Sequence, residues 1–169
     1  MESDRLIDRL EANANVVQWL AEGVTREQAT WKPVSGKWSI LEVVAHLSDE
    51  EREDFRARLR LLLLDPESEW PPIDPQGWVA TRDYASKDLK QTLQDFLTER
   101  TDSIAWLRGL DKPEWGRTKT HPAAGPLSAG DLLVSWVAHD LLHIRQLVGL
   151  HHGYLHCLAK PYSTSYADS

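Results

Sequence analysis

Apolar residues recur three and four positions apart over four separate stretches of this chain, and no stretch of useful length alternates with a period of two. Such a chain buries its apolar stripes by packing helix on helix and has little from which to build a sheet. The first stretch, about Ser3 to Glu22, carries Leu6, Ile7, Leu10, Ala14, Val17 and Leu20, with Ser3 placed as N-cap and Gly23 as the stop. Thr25-Arg26-Glu27-Gln28 then reads as a short turn and Trp31-Lys32-Pro33 as loop. The second helix opens at Ser39, with Glu42 at the capping-box position, and runs to about Leu64. From Asp65 to Lys87 the residues Pro66, Pro71, Pro72, Pro75 and Gly77 exclude continuous helix and predict a long loop. A third helix follows from about Lys87 to Arg108 along Leu89, Leu93, Phe96, Leu97, Ile104 and Leu107. A second loop, Asp111 to Pro126, leads to a fourth helix from Ser128 to about Leu150. The pattern predicts an all-α, single-domain four-helix bundle over residues 1–169, with two long loops and a loose tail from about 151 to 169.

Composition narrows the class further. With 19 Lys+Arg against 26 Asp+Glu the net charge is −7, and there is no basic stripe, which argues against a nucleic acid partner. The single cysteine, Cys157, excludes an internal disulfide framework and any Cys-rich zinc module. Leu61-Leu62-Leu63-Leu64, the longest apolar run, falls far short of the about 20 residues a membrane span requires. The first residues, Met1-Glu2-Ser3-Asp4-Arg5, are unlike a secretory signal, so a cytoplasmic protein without a membrane partner is expected.

The chemistry lies in the histidines. His139 and His143 stand four apart on the fourth helix, so one face presents both imidazoles, and such a pair can grip a transition metal. His46 sits in Val43-Val44-Ala45-His46-Leu47, a stretch that should face the interior. A lone interior histidine is more often hydrogen-bonded core than ligand. Three in one core are costly without partners, and a metal removes that cost. Glu50, one turn past His46, is a fourth ligand, a hydrogen-bond acceptor for a ligand, a general base, or a solvated carboxylate of the run Asp49-Glu50-Glu51. Asp140 and Gln146 could support the ligands, although exposed positions are the plainer expectation for both. A rival cluster, His151, His152, His156 and Cys157, offers a second His pair four apart, but Gly153 weakens the helix that would align it. Of the eight tryptophans, Trp19, Trp106 and Trp136 fall on core-facing positions, and Trp31, Trp38, Trp70, Trp78 and Trp115 lie in or beside loops.

Trp38-Ser39-Ile40 leading into Ala45-His46-Leu47-Ser48-Asp49-Glu50, together with Trp136 through Leu147 and His121-Pro122 before Gly125, resembles the DinB-like (YfiT-like) metal-binding superfamily. The resemblance covers nearly the whole chain. It implies an up-up-down-down four-helix bundle, a homodimer, and one divalent metal held by His46, His139 and His143 in a pocket open to solvent. Some characterised relatives are transferases and isomerases dependent on low-molecular-weight thiols such as bacillithiol or mycothiol; many others carry only the name of metal-dependent hydrolase. Three histidine ligands leave an open coordination position, where thiol or water would become a nucleophile toward a small molecule. Zinc, nickel, copper and ferrous iron all suit three imidazoles. Glu50 and His121 are the candidate catalytic acid–base groups, and their absence from the pocket would favour a non-catalytic metal-binding stress or sensor protein.

Overall fold

A computed structural model describes residues 2–167, in the order α1 (Ser3–Ala21), α2 (Arg26–Thr30), α3 (Ile40–Glu50), α4 (Arg56–Leu64), α5 (Pro75–Thr81), α6 (Leu89–Arg108), β1 (Thr118–His121), β2 (Gly125–Ser128) and α7 (Ala129–Leu158). Two capping boxes launch the helices that carry the histidines. The Ser39 hydroxyl accepts from Glu42 N at 3.3 Å, while Glu42 accepts from Ser39 N at 2.8 Å. Ser128 and Asp131 repeat the motif at 3.0 and 2.9 Å for α7. By contrast α1 begins without a side-chain cap, and Ser3, expected as its cap, is already its first helical residue.

The four-helix bundle is as expected, but its directions run up-down-down-up, not up-up-down-down. Arg108 pairs with Asp8 and Glu11, which sets α6 antiparallel to α1. Asn13 meets Asp140 and Leu20 meets His151, so α7 runs parallel to α1. Val44 and Leu47 share one apolar cluster with Leu93, Phe96, Leu147 and Leu150, and Leu59 and Leu62 share the other with Ile104, Leu107, Leu132 and Leu133, so α3–α4 runs parallel to α6 and antiparallel to α7. The connectors explain the order. Residues 22–39 fold up at one end around α2 and residues 109–128 at the other around a hairpin, so each reverses the chain; residues 65–88 travel the length of the bundle.

Several expected boundaries shift for local reasons. The second helix is interrupted by a wide π-type turn, Glu51–Phe55, between α3 and α4. The first long loop contains α5 and a 3-10 turn, Tyr84–Ser86. Pro75 at the first helical position starts α5 where a proline further in would break it, and the Asp74 carboxylate accepts from Gly77 N at 3.0 Å. Any side chain at 77 would strike that cap, since an added Cβ would lie 2.0 Å from Asp74 Oδ2. The second loop holds the antiparallel β1–β2 ladder, whose four-residue strands are too short to show a period. Finally, α7 continues eight residues past Leu150, so the expected tail is half helix. His151 pins it, donating from Nε2 to Leu20 O at 2.6 Å and accepting from Gln28 at Nδ1. Gly153 fits there because the Trp31 indole packs where a Cβ would be, 2.9 Å away.

Two apolar layers fill the bundle. One, around Leu10, Leu59, Leu62, Leu133 and Trp136, occupies the hairpin end; the other, around Val17, Val44, Leu47, Phe96 and Leu147, occupies the α2 end. Trp19, expected in the core, is 77% exposed. Between the layers lies a charged one. Arg100, 1% exposed, donates from Nε to Glu51 Oε1 (2.8 Å), from Nη1 to Leu10 O (2.8 Å) and Asp140 Oδ2 (2.7 Å), and from Nη2 to Asp140 Oδ1 (2.8 Å). Nη2 also lies 2.8 Å from Glu51 Oε2, which Trp136 Nε1 donates to at 3.0 Å. One guanidinium thus ties α1, the wide turn, α6 and α7 together. Replacing Arg100 by Leu strands two buried carboxylates and should cost about 3–5 kcal/mol, read as a lower urea midpoint at pH 7.

Candidate metal centre

Helix α3 supplies His46 and Glu50, and α7 supplies His139 and His143, facing each other across an antiparallel contact just above the charged layer. His46 Nε2 lies 3.3 Å from His139 Nε2, and His143 Nε2 lies 3.1 Å from the same atom. Ligand nitrogens from all three rings lie within 4.8 Å of one another. His46 is buried at 4% exposure, and the other two are half-buried. Trp38 stacks parallel to His143, 6.2 Å between centroids, and tilts over His46 at 4.7 Å; Phe55 packs on His139 at 5.1 Å. These rings exclude water from one side and leave the other facing a cleft of about 500 Å³ lined by Gly36, Lys37, Glu50, Asp54, Gln76 and Gln146.

The donors cannot satisfy one another. His143 Nδ1 donates to Gln146 Oε1 at 2.9 Å, so its Nε2 carries a lone pair. His139 Nε2 can carry one hydrogen or one lone pair, yet it has a ring nitrogen on each of two sides. Among the described residues, buried His46 Nδ1 has no hydrogen-bond partner. A cation bound by the three Nε2 atoms removes the conflict at His139, since nitrogens about 2.0–2.1 Å from a tetrahedral ion sit about 3.3 Å apart, close to both short contacts. The residues present fit a divalent metal.

Charge in the site follows burial. Desolvation, with His143 nearby, presses the His46 imidazole down to about 3, and burial with both neighbouring rings takes His139 down to about 2. His143 is lowered by burial and partly held up by Gln146. Glu50 is 4% exposed, so it is no solvated carboxylate; burial, then its neighbour Asp54, pushes it up to about 8. Its Oε2 lies 3.9 Å from His139 Nε2. Asp54, raised by burial, shares a hydrogen bond with Glu50 and pairs with Arg58.

The other candidates divide. His121 is not beside the three rings. It stands on β1, in an adjoining compartment lined also by Asp54 and Arg58, with Nδ1 accepting from Ala123 N and Ala124 N at 3.2 and 3.1 Å. Gln146 does orient His143. Asp140, for which an exposed position was the plainer expectation, is 1% exposed and bound to Arg100. The rival cluster is dispersed: His151 serves as a helix tie, while His152 and His156 stack edge to face at 4.6 Å beside an exposed Cys157. Reading for motifs passes over Arg100, Glu51, Asp54 and Arg58. Arg100 did carry a signal, because it interrupts the core-facing series Leu93, Phe96, Ile104, Leu107 with a charge. A second network, Tyr84 to Asp49 at 2.5 Å and Arg82 to Asp49 and Glu53 at 2.7–2.8 Å, clamps the residue 65–88 segment onto α3.

Metal-free protein should show these shifts as a pH profile. Between pH 6.5 and about 3, His46 and His139 bind protons only when unfolded, so each subtracts up to about 1.4 kcal/mol of stability per unit of falling pH. Glu50 acts oppositely between about 8 and 4.5, its native form holding the proton. His143, also lowered, adds to the loss on the acid side, and the raised Asp54 and Glu51 carboxyls oppose it. Urea midpoints of chelator-treated wild type and His139→Ala, compared from pH 7 to 5, should therefore show the wild type losing more stability as pH falls; equal slopes would count against a buried neutral His139.

The DinB superfamily model matches residues 9–147. A protein of Oceanobacillus iheyensis named "putative metal-dependent hydrolase" is 27% identical over 128 residues, covering 75% of this chain and 73% of that protein. YfiT from Bacillus subtilis, described as a probable metal-dependent hydrolase with an unusual four-helix bundle topology, superposes with a TM-score of 0.79 at 24% identity, covering 89% of this chain and 86% of that one. The fold is therefore the YfiT four-helix bundle, and with a family match spanning most of its length the chain belongs to the DinB superfamily.

Proposed function

We propose that the chain is a metal-dependent enzyme in which His46, His139 and His143 hold one divalent transition metal beside a buried acid–base pair, Glu50 and Asp54. The convergence of three Nε2 atoms whose two contacts cannot both be hydrogen bonds carries this reading. The names of its relatives support a hydrolase. When bound, the metal supplies a Lewis acid that lowers the pKa of a water or a low-molecular-weight thiol at the open position. A dication held by the rings would favour the ionised form of Glu50, which could then take the released proton and share it with Asp54 through their hydrogen bond. Gln146 keeps His143 in the tautomer whose Nε2 lone pair faces the site. Trp38 and Phe55 keep bulk water off the rings. His121 lines the adjoining compartment, where it is placed to contact substrate away from the rings.

The chain also presents a seam for self-association. Val134, Leu141, Val148 and Leu155, spaced by sevens, are 48–51% exposed on α7, with Ala138, Arg145 and His152 between them at the alternating four-residue steps. That spacing is the coiled-coil repeat, and a second copy of α7 supplies the partner helix of a homodimer.

Metal analysis of protein purified without a nickel column should find about one ion per chain. Each of His46→Ala, His139→Ala and His143→Ala should lose most of it, while His152→Ala and His156→Ala keep it. Because burial keeps the rings neutral well below the usual imidazole range, binding should hold through pH 6 and weaken only in more acid solution. Glu50→Gln should retain metal but lose about 10²–10⁴-fold in turnover. Unchanged turnover would favour a binding protein. Activated esters, and an electrophile supplied with and without a thiol, separate hydrolysis from thiol transfer. For the seam, Leu141→Glu with Val148→Glu should convert a dimer to a monomer by light scattering.

A further inference from the structure

The metal-facing cleft does not end at the histidines. Asp54 lines it and also lines a second compartment of about 600 Å³, so the two meet at that carboxylate. The second compartment is walled by Trp70, Pro71, Ile73, Pro122, Leu127 and Leu132. Its roof, residues 70–73, is held in place: Trp70 Nε1 donates to Thr120 O at 2.8 Å, and Arg58 Nη2 donates to Pro71 O at 3.3 Å. Consecutive prolines stiffen the segment, so the wall is formed before any ligand arrives. The charges within are already spent on each other. Arg58, 6% exposed, is ion-paired with Asp54 and lies 5.4 Å from the Trp70 ring, while His121 meets the edge of the same ring at 5.4 Å. A ligand carboxylate there would compete with Asp54 for Arg58, and a ligand ammonium would compete with Arg58 for Asp54. An aryl or branched alkyl group displaces water from apolar wall without breaking that pair.

Resting on the metal-site reading, the geometry points to a substrate of two parts: a polar reacting head at the three histidines and an uncharged aromatic or branched apolar tail in the Trp70–Leu132 compartment. Asp54 marks the junction, which places the head-to-tail link beside the Glu50–Asp54 pair. The tail compartment accounts for Trp70 and His121, which the chemistry at the rings leaves unused.

Hydroxamates with different tails test this on the zinc-loaded protein, with dissociation constants from calorimetry. 4-Phenylbutanohydroxamate should bind about 10- to 100-fold tighter than acetohydroxamate, and a hydroxamate ending in a carboxylate of similar length should lose that gain. Ala124→Trp, on the exposed hairpin turn and lining the compartment, should abolish the phenyl gain while leaving acetohydroxamate affinity and thermal unfolding unchanged. Equal affinity for all three tails, or a phenyl gain that survives Ala124→Trp, overturns the proposal. The metal reading fails separately, by binding no hydroxamate at all. In that event 3-phenylpropanol, added to metal-free protein at millimolar concentration, decides the compartment: quenching of tryptophan fluorescence that Ala124→Trp removes upholds it, and no quenching overturns it.

Discussion

Arg100 is the residue on which the rest of the architecture depends. All five of its N–H bonds find acceptors, drawn from α1, the wide turn after α3, and α7, while the residue itself belongs to α6. A buried guanidinium facing two buried carboxylates carries a large desolvation cost, and a well-packed apolar core could be as stable. What the charged layer supplies is register. Asp140 adjoins His139 in sequence and Glu51 adjoins Glu50, so the contacts that satisfy Arg100 also set the rotation of α7 and of the wide turn. Those rotations aim the two α7 histidines and Glu50 at one point. Burial holds the Glu51 carboxyl above the usual carboxylate range, with Arg100 pulling it back, and the Trp136 indole N–H and the Asn13 amide absorb the remaining negative charge.

The wide turn after α3 extends the same logic toward the cleft. In such a turn, residues four and five apart come to one side, and π-type turns recur at functional sites for that reason. Here Glu51 and Phe55 turn inward, to Arg100 and against Trp136, while Glu50, Asp54 and then Arg58 follow the cleft. A regular helix from Ser39 to Leu64 would compromise one set to serve the other. The long segment that returns to α6 then closes the cleft, clamped by Arg82 and Tyr84 to Asp49 and by Trp70 to the hairpin.

The site is frustrated by construction. Three imidazoles share a volume in which two nitrogen–nitrogen contacts compete for the hydrogens of neutral rings, and burial keeps His46 and His139 from escaping by protonation. Packing and the charged layer hold the rings there regardless. Strain of this kind is tolerated where surrounding structure over-determines it, and a dication converts it into binding energy.

Much of this was legible in the residues. Helical periodicity and the serine caps marked the four long helices, and the His139–His143 spacing with His46 on an apolar face marked the centre, because both signals are local and repeat with the helix turn. The chain directions, the hairpin, the wide turn and the last two turns of α7 were not legible. Each depends on contacts across the fold: Leu20 and Trp31 stabilise a helix end that Gly153 alone would fray, and Asp140 reads as a surface acid until Arg100 arrives from α6. Glu50 was ambiguous for the same reason, since only burial against α7 separates a base beside a metal from a solvated carboxylate. The amino-acid order by itself determined which side chains could do chemistry and which helices would carry them. Tertiary structure alone decided which met, because burial and pairing are properties of neighbours far apart in the chain.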